Sequence, residues 1–306
     1  MIIIADKLKK VFGKFIAVDE ISFEVQEGII FGILGANGAG KTTTIKMMCG
    51  LLVPTSGGLE VGGINVIKNP QEVRRYLGYM SQQFSLYPDL TIIENLQFYG
   101  GVYGIRGSEL KVKIKNALSE LELASYKNVL AAALSLGYKQ RLALACASLH
   151  KPKILFIDEP TSGADPLSRL KFWSFVRKLV HEFSITIIVT THFLNEAEYC
   201  DYIMLMHEGK IAIRGSPQQI KNKVAEDISI YELETDSDTK RINELMRINY
   251  VKDIYSWGKK YRITVRKDNL KETKDIAADF TKHINLLMLK EIKPTLEDVF
   301  IRYYKM

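Results

Sequence analysis

The chain has 306 residues, of which 47% are hydrophobic and 25% charged, and its formal net charge at pH 7 is +7. This is an ordinary soluble composition, and the length suffices for one large hydrophobic core and a smaller one, so we expect two domains. The basic charge fits a nucleic-acid partner, an anionic membrane surface or ATP, and equally a solvated basic surface, so charge alone selects no function.

The longest apolar runs, at 28–36 and 184–193, are shorter than the roughly 18 residues that a membrane-spanning helix needs. The first ten residues, MIIIADKLKK, have too brief an apolar run, with charges on the wrong side, for a signal peptide. The three cysteines are odd in number and share no short metal-ligand spacing. We therefore expect buried or free thiols, no transmembrane segment and a cytosolic location.

The strongest local signal follows a hydrophobic strand predicted at 29–34. The next eight residues, GANGAGKT at 35–42, match G-x-x-x-x-G-K-[ST] at every fixed position, and a helical run follows. The glycines let the backbone wrap the β-phosphate, Lys41 meets the β- and γ-phosphates, and the Thr42 hydroxyl ligates Mg²⁺. A glycine-rich turn alone leaves the Lys-Thr pair unexplained. The predicted phosphate-binding residues are Gly35, Ala36, Asn37, Gly38, Ala39, Gly40, Lys41, Thr42 and Thr43.

The middle of the chain has the pattern of helices. Thr91 and Glu94 form a capping box ahead of an apolar periodic run, and 108–123 has apolar residues at helical intervals behind a Ser108 cap. We expect a mainly helical region at about 84–150.

A second buried strand is predicted at the run KILFIDEP, 153–160, which ends in two acids. In P-loop NTPases an aspartate at the end of such a strand holds Mg²⁺, and Asp158 fits this role. Glu159 would lie beside the γ-phosphate, where a carboxylate can accept a proton from the attacking water or orient it. The alternative for an isolated pair is an acidic segment before a turn at Pro160.

The stretch ALSLGYKQRLALA, 133–145, begins a further helix at the composition of an N-cap, Ser-x-Gly. The exposed backbone N–H groups of a helix N-terminus attract anions, which raises the question of whether a second phosphate binds at this helix. By itself Ser135 is equally well explained as a plain N-cap.

After Gly215 the pattern changes. Alternating strands are predicted at 228–234, 251–257, 261–267 and 284–292, with helices at 237–248 and 270–284 and a last helix capped by Thr295. The order βαββαβ is that of a ferredoxin-like unit. Packing or dimer support is the simplest role for it.

These motifs, in this order, resemble those of the ATP-binding cassette (ABC) ATPases over roughly residues 1–221. LSLGYKQ at 134–140 resembles the ABC signature, SGADP with Asp165 the D-loop, and VTTHF with His192 the segment of the switch histidine. Phe12 matches the aromatic residue that stacks on adenine, and Gln82 the Q-loop glutamine that touches Mg²⁺ or water. Taken singly, these residues also fit a core aromatic, a surface loop glutamine and a strand-end histidine.

The resemblance implies the fold and the boundaries. The expected fold class is an α/β P-loop NTPase cassette at 1–221, with a mixed sheet and a helical subdomain at about 84–150. A smaller α+β ferredoxin-like domain is expected at 222–306. In the family, a groove of the helical subdomain near Gln82 receives a helix of the membrane subunit, and Phe84 and Tyr87 are candidates for that contact.

The resemblance also implies that each site is completed by a second cassette. Ser135 and Gly137 would contact the γ-phosphate of ATP held by the partner, an electrostatic role like that of an arginine finger. Leu136 and Tyr138 depart from the usual LSGGQ form, in which a glycine and a glutamine occupy these positions. The departure bears on how closely two cassettes approach and on the rate of hydrolysis.

The segment KPTLEDVFI at 293–301, with the LSLGYKQR form of the signature, resembles the ATPase subunits of bacterial drug exporters of the daunorubicin-resistance kind. This implies a Mg²⁺-dependent ATPase on the cytoplasmic face of the membrane, with ATP and Mg²⁺ as ligands. The implied partners are separate transmembrane permease subunits and a second copy or a paralogous cassette, without nucleic acid. An importer cassette and a soluble ATPase acting on ribosomes or DNA remain alternatives, although 42–135 has neither heptads nor paired cysteines.

Overall fold

The computed structural model describes residues 1–82, 85–267 and 272–304, and the chain divides into two compact units, Met1–Ser216 and Pro217–Met306. The boundary predicted after Lys221 falls inside a helix that begins at Pro217. The division therefore lies earlier, at the start of that helix.

The first unit combines strands and helices along its whole length. Its described strands are β1 (Ile3–Phe12), β2 (Phe15–Val25), β3 (Ile30–Leu34), β4 (Ser56–Val61), β5 (Ile64–Asn65), β6 (Leu77–Met80), β7 (Ile154–Asp158), β8 (Thr186–Thr191), β9 (Tyr202–His207) and β10 (Lys210–Gly215). Its described α-helices are α1 (Lys41–Met48), α2 (Pro70–Tyr76), α3 (Ile92–Val102), α4 (Gly107–Glu120), α5 (Leu136–Ser148), α6 (Pro166–Phe183) and α7 (Leu194–Ala197).

The central sheet of this unit has the order β10-β9-β3-β8-β7-β6. Its neighbouring strands run parallel except for β9 and β10. Every residue of β3, β7 and β8 is buried, as expected for parallel strands with both faces covered. Because β8 lies between β3 and β7, the carboxyl ends of all three strands meet at one edge, where α/β sheets bind ligands. A second, antiparallel sheet has the order β2-β1-β4-β5.

The helical region begins with α3. The predicted capping box is confirmed, since Thr91 and Glu94 exchange side-chain to backbone hydrogen bonds. The predicted Ser108 cap is wrong: α4 begins at Gly107, with Arg106 in the N-cap position.

The interior of the first unit is apolar, and it contains all three cysteines. Cys49, Cys146 and Cys200 are free and buried, as predicted, and burial raises the pKa of each thiol. Within 1–82, 85–267 and 272–304, no helix combines the length and the apolar content needed to cross a bilayer.

The second unit contains an antiparallel sheet. Its described elements are α8 (Pro217–Asp227), β11 (Ile228–Thr235), α9 (Thr239–Glu244), β12 (Val251–Trp257), β13 (Lys260–Arg266), α10 (Thr273–Phe280), β14 (Leu286–Ile292) and α11 (Leu296–Tyr304). From β11 to β14 the order is βαββαβ, and the sheet order β12-β13-β11-β14 is that of the predicted ferredoxin-like unit. Leu270 and Lys271 of the predicted helix lie outside the described residues. Thr295 caps α11, and its hydroxyl and backbone N–H both donate to Asp298.

Candidate nucleotide-binding and hydrolysis site

The loop Gly35–Thr42 joins the end of β3 to the start of α1. Gly40 has φ 100°, and a Cβ there would lie 2.5 Å from the Ala17 carbonyl oxygen. A Cβ at Gly35 would lie 2.5 Å from the Met206 carbonyl oxygen. Glycine is therefore required where the loop passes closest to β2 and β9. The first N–H groups of an α-helix such as α1 have no partner within the helix, and groups of this kind attract anions.

Lys41 crosses this loop. Its side chain is 5% exposed, and Nζ donates to the carbonyl oxygens of Gly35 at 2.8 Å and Ala36 at 3.1 Å. The same Nζ lies 3.2 Å from Oε1 of Glu159. The ammonium group thus stands between the loop backbone and the end of β7. The remaining loop residues of the prediction are placed as follows: Asn37 and Gly38 are exposed, Ala39 is buried, and Thr43 is half-buried.

Asp158 and Thr42 bring two oxygen ligands together. The Thr42 hydroxyl donates to Oδ1 of Asp158 at 3.2 Å, and Thr190 donates to the same oxygen. Burial raises the pKa of Asp158, and the two hydroxyl donors oppose that effect. Adjacent ligands of an octahedral Mg²⁺ ion with bonds of 2.0–2.1 Å are about 2.9 Å apart. The spacing and the hard oxygen donors fit a Mg²⁺ site.

Glu159 is the residue on which the site converges. Its Oε2 accepts a hydrogen bond from Nε2 of Gln82 at 3.1 Å and lies 3.2 Å from Nδ1 of His192, while Oε1 faces Lys41. His192 Nδ1 lacks hydrogen-bond geometry to this oxygen. Three predicted site residues from three separate loops therefore meet at one carboxylate, which is 7% exposed.

The backbone at Glu159 is held in an uncommon conformation. Its φ is 47°, in the left-handed region that a residue with a side chain rarely adopts. The N–H of Glu159 donates to Thr190, whose carbonyl oxygen lies at 3.2 Å and whose hydroxyl lies at 3.0 Å. Such backbone strain is found preferentially at functional sites. Thr190 thus orients both Asp158 and Glu159, the two acids at the end of β7.

The predicted signature lies at the start of α5. Ser135 occupies the N-cap position and is exposed, and its side chain makes no capping hydrogen bond. Gly137 is buried instead: a Cβ there would lie 2.4 Å from Oγ of Ser168. Asp165 caps α6 by accepting from the Ser168 N–H at 2.9 Å, and hydrogen bonds from Ser168 lower the pKa of Asp165. The glycine therefore lets the predicted signature and D-loop pack together within one chain, a role that the sequence prediction missed.

The two departures from the usual signature are accommodated within the chain. Leu136 is 39% exposed, and a Cβ at Gly163 would lie 3.1 Å from its Cδ2, so the leucine packs on the D-loop segment. The Tyr138 ring lies 4.2 Å from the guanidinium carbon of Arg141 and 4.4 Å from the ring of Tyr126.

The predicted adenine contact and membrane-subunit contact are exposed aromatic residues. Phe12 ends β1, is 48% exposed, and has Lys10 Nζ 5.1 Å from its ring centroid. Tyr87 is 45% exposed and its ring lies 4.5 Å from that of Phe98. Phe84 lies outside the described residues.

Sequence reasoning missed the polar residues behind the site. Thr190 and Glu196 have no part in the sequence prediction, yet both are buried. The signal was present as two threonines directly before His192 and an acid four residues after it.

The fold and the site together define a P-loop NTPase with a helical insertion. The profile of the family described as "ABC transporter" matches residues 18–162, and that of "ATP-binding protein DrrA1-3-like, C-terminal domain" matches residues 215–304. The chain therefore belongs to the ATP-binding proteins of the ABC transporter family, as predicted.

Two curated relatives differ in how much of their length the chain spans. It is 50% identical over 74% of its length to "Probable multidrug ABC transporter ATP-binding protein YbhF" of Escherichia coli (strain K12), but it spans only 39% of that relative. It is 33% identical to "Linearmycin resistance ATP-binding protein LnrL" of Bacillus subtilis (strain 168), over 97% of this chain and 96% of the relative.

Solved structures agree with the predicted fold. "Structure of ATP binding subunit of ABC transporter" matches with a TM-score of 0.67 and 29% identity, over 74% of this chain and 94% of that one. The dimeric cassette MJ0796, bound to ADP and Pi in a post-hydrolysis state, matches with a TM-score of 0.65 and 26% identity, over 70% of this chain and 98% of that one.

Proposed function

We propose that this chain binds and hydrolyses ATP with Mg²⁺ as a subunit that powers a membrane transporter. The observation that carries the proposal is the meeting of Lys41, Gln82 and His192 at the buried carboxylate of Glu159, beside a P-loop. A carboxylate in this position can take a proton from an attacking water or orient it. The positive charge of Lys41 and the loop N–H groups would stabilise the charge on the transferring phosphoryl group.

Each residue has a separate part in this proposal. The backbone of Gly35–Thr42 and the Lys41 side chain hold the phosphates, and Phe12 stacks on adenine. Thr42, Asp158 and Gln82 would hold Mg²⁺, which would supply charge neutralisation at the phosphate oxygens. Glu159 and His192 orient the water and the γ-phosphate.

We further propose that a second copy, or a paralogous cassette, completes each site. Ser135 is exposed at the uncapped start of α5, where it could reach a phosphate held by another chain. Gly137, two residues after Ser135, packs against Ser168, and Asp165 accepts a hydrogen bond from the Ser168 N–H. The dimeric MJ0796 cassettes support this arrangement.

We also propose that separate transmembrane permease subunits hold the chain at the cytoplasmic face of the membrane and that the transporter exports drugs or other small molecules. The names of the relatives support export: multidrug, linearmycin resistance and bacitracin transport. The catalytic residues do not separate an exporter from an importer. No nucleic acid is part of this proposal.

Two experiments test the proposal at its two levels. Purified chain should release phosphate from ATP in a Mg²⁺-dependent manner, and the absence of release at any protein concentration would end the ATPase proposal. Gentle detergent purification from native membranes, followed by mass spectrometry, should recover a multi-spanning protein with the chain. Recovery with ribosomes or DNA instead would leave the ATPase and remove the transporter.

A further inference from the structure

Glu196 is a buried acid outside the set of residues given a part above. It lies in α7 and is 1% exposed. Each carboxylate oxygen accepts from a different threonine: Oε1 from the Thr161 hydroxyl, and Oε2 from the Thr191 hydroxyl at 2.7 Å. Both threonines are themselves buried, at 0% and 1% exposure. The carboxylate therefore bridges two hydroxyls that face away from solvent.

The two threonines belong to the two segments that carry the hydrolytic groups. Thr161 follows Glu159 by two residues, and Thr191 directly precedes His192. The Thr191 hydroxyl also accepts from the Phe193 N–H at 2.9 Å, so it fixes the backbone on both sides of His192. Glu196 thus connects the segment after β7 to the end of β8, in addition to the Glu159–His192 contact between the same two segments.

A third segment joins at Arg169 of α6. Its Nε lies 3.5 Å from Oε1 of Glu196, and its Nη2 donates to the Ala164 carbonyl oxygen at 3.4 Å. The guanidinium carbon lies 5.2 Å from the ring centroid of Phe193. Ala164 directly precedes Asp165, so the same arginine connects the carboxylate to the D-loop segment.

A residue that only occupied space in the core would not need a carboxylate at this position. Burying an acid is costly unless every oxygen finds a donor, and an apolar side chain of similar size avoids that cost. Burial raises the pKa of Glu196, while Thr191 and Arg169 oppose this effect. What the carboxylate provides and an apolar residue cannot is a pair of directional hydrogen bonds to two segments together with an ion pair to a third.

We propose that Glu196 is a positioning residue for hydrolysis, which holds Glu159, His192 and the Asp165 segment in a fixed mutual arrangement through Thr161, Thr191 and Arg169. The inference rests on the proposed ATPase function. It assigns no contact with ATP to Glu196. Misplacing a reacting group by about 1 Å can cost roughly 100-fold in rate, so loosening this tie should slow the chemical step.

The test uses two isosteric substitutions in the full chain. Glu196→Gln and Thr161→Val each remove one hydrogen bond of the network with little change in volume. Each should lower kcat about 10- to 100-fold and leave the KM for ATP and the Kd of a fluorescent ATP analogue within about twofold. Thr161→Ser keeps the hydroxyl and should keep most of the wild-type kcat. Glu198→Gln, two residues away and exposed, is the matched control and should keep the wild-type rate.

The outcomes separate this inference from the proposed function. If the wild-type chain hydrolyses ATP and both isosteric variants keep the wild-type kcat, the positioning role is overturned while the ATPase stands. A parallel rise in KM and loss of analogue binding would indicate a general loss of the folded site and would also overturn it. If Glu196→Gln does not fold, the comparison of Thr161→Val with Thr161→Ser decides: equal rates in these two variants contradict the role. An inactive wild type defeats the proposed function itself.

Discussion

Nζ of Lys41 lies 3.2 Å from Oε1 of Glu159, and both side chains are more than nine-tenths buried. The cation comes from the P-loop and the anion from the end of β7, so the pair joins the proposed phosphate-binding and hydrolytic halves of the site. Removing one member of a buried pair leaves the other charge without its partner, which costs more than the pair itself contributes. The charge left behind differs in sign, a cation when Glu159 is replaced and an anion when Lys41 is replaced. Substitutions at the two positions should therefore have different consequences.

The first prediction concerns Glu159→Gln. The amide has the shape of the carboxylate but cannot take a proton, so turnover should fall about 100-fold or more, while ATP binding persists. The variant should accumulate as an ATP-bound dimer, which size-exclusion chromatography with and without ATP can detect. Glu182→Gln, on the exposed side of α6, serves as the control. Normal hydrolysis by Glu159→Gln would remove this residue from its proposed role.

The second prediction concerns Lys41→Ala. The substitution removes the ammonium group that faces the phosphates and leaves the Glu159 carboxylate buried without its cation, which repels a polyphosphate. Titration with a fluorescent ATP analogue should show an affinity loss of about 100-fold or more, as expected for about 3 kcal/mol. Lys46→Ala on the same helix is the control because Lys46 is exposed. Tight binding by Lys41→Ala would contradict the assignment.

The elements that place the site could be predicted because their signals are local. GANGAGKT requires a strand before it and a helix after it, and the apolar run ending in Asp158 is too short for a helix. Both expectations agree with β3, α1 and β7. The alternation in the second unit likewise located β12 from Val251 to Trp257. In each case, period and flanking residues fix the element without knowledge of the rest of the chain.

What the sequence could not provide is which polar side chains meet in the interior. Glu196 has the pattern of an exposed helix residue, and only the packing of α7 against β3 and β8 buries it between Thr161 and Thr191. The close approach of Gly137 to Ser168 is likewise absent from the sequence prediction. Contacts of this kind depend on side chains distant in sequence, for which hydrophobic periodicity carries no information.

The third prediction is a pH dependence of stability from His150. Burial lowers the pKa of His150 to about 4, and nearby Lys113 contributes. Nε2 lies 3.3 Å from the Leu77 carbonyl oxygen, and the buried Nδ1 has no donor or acceptor beside it, so a second ring proton has no partner. The unfolded chain binds that proton at pH values below about 6.5, whereas the folded chain does so only near the lowered pKa.

The contribution of His150 to the free energy of unfolding is therefore complete above about pH 6.5. It falls as the pH drops toward 4, by at most about 1.4 kcal/mol per pH unit for one proton. Urea unfolding at several pH values measures the free energy of unfolding as a function of pH. In this pH range its slope should be smaller for His150→Gln than for the wild type. His181→Gln, an exposed position in α6, is the control. Identical slopes in wild type and His150→Gln would contradict the prediction.

The fourth prediction concerns the buried ion pair of the second unit. Nη1 of Arg262 lies 2.8 Å from Oδ1 of Asp298, the side chains are 7% and 2% exposed, and the guanidinium carbon lies 3.5 Å from the ring centroid of Trp257. Asp298→Ala leaves the arginine buried without its partner and should destabilise this unit by about 3–5 kcal/mol. The double variant Asp298→Ala with Arg262→Met should recover part of that loss.

The measurement is chemical unfolding followed by tryptophan fluorescence. The chain has two tryptophans, Trp173 and Trp257, so a Trp173→Phe background reports on the second unit alone. Asp275→Ala, on α10, is a control expected to change the midpoint little. If the single and double variants unfold at the same denaturant concentration, the buried charge is not the source of the destabilisation.

The fifth prediction concerns the approach of α5 to α6 at Gly137. An alanine there would place its Cβ 2.4 Å from Oγ and 2.9 Å from Cβ of Ser168, so the two helix starts must separate. Because Ser135 lies only two residues before this contact, Gly137→Ala should lower kcat for ATP about tenfold or more and should also lower the melting temperature. Adding Ser168→Ala removes the nearer of the two clashing atoms and should restore only part of the rate.

Gly101→Ala in α3 is the control, since a Cβ there meets nothing within 4 Å. Wild-type turnover by Gly137→Ala would mean that the position of Ser135 does not depend on this packing.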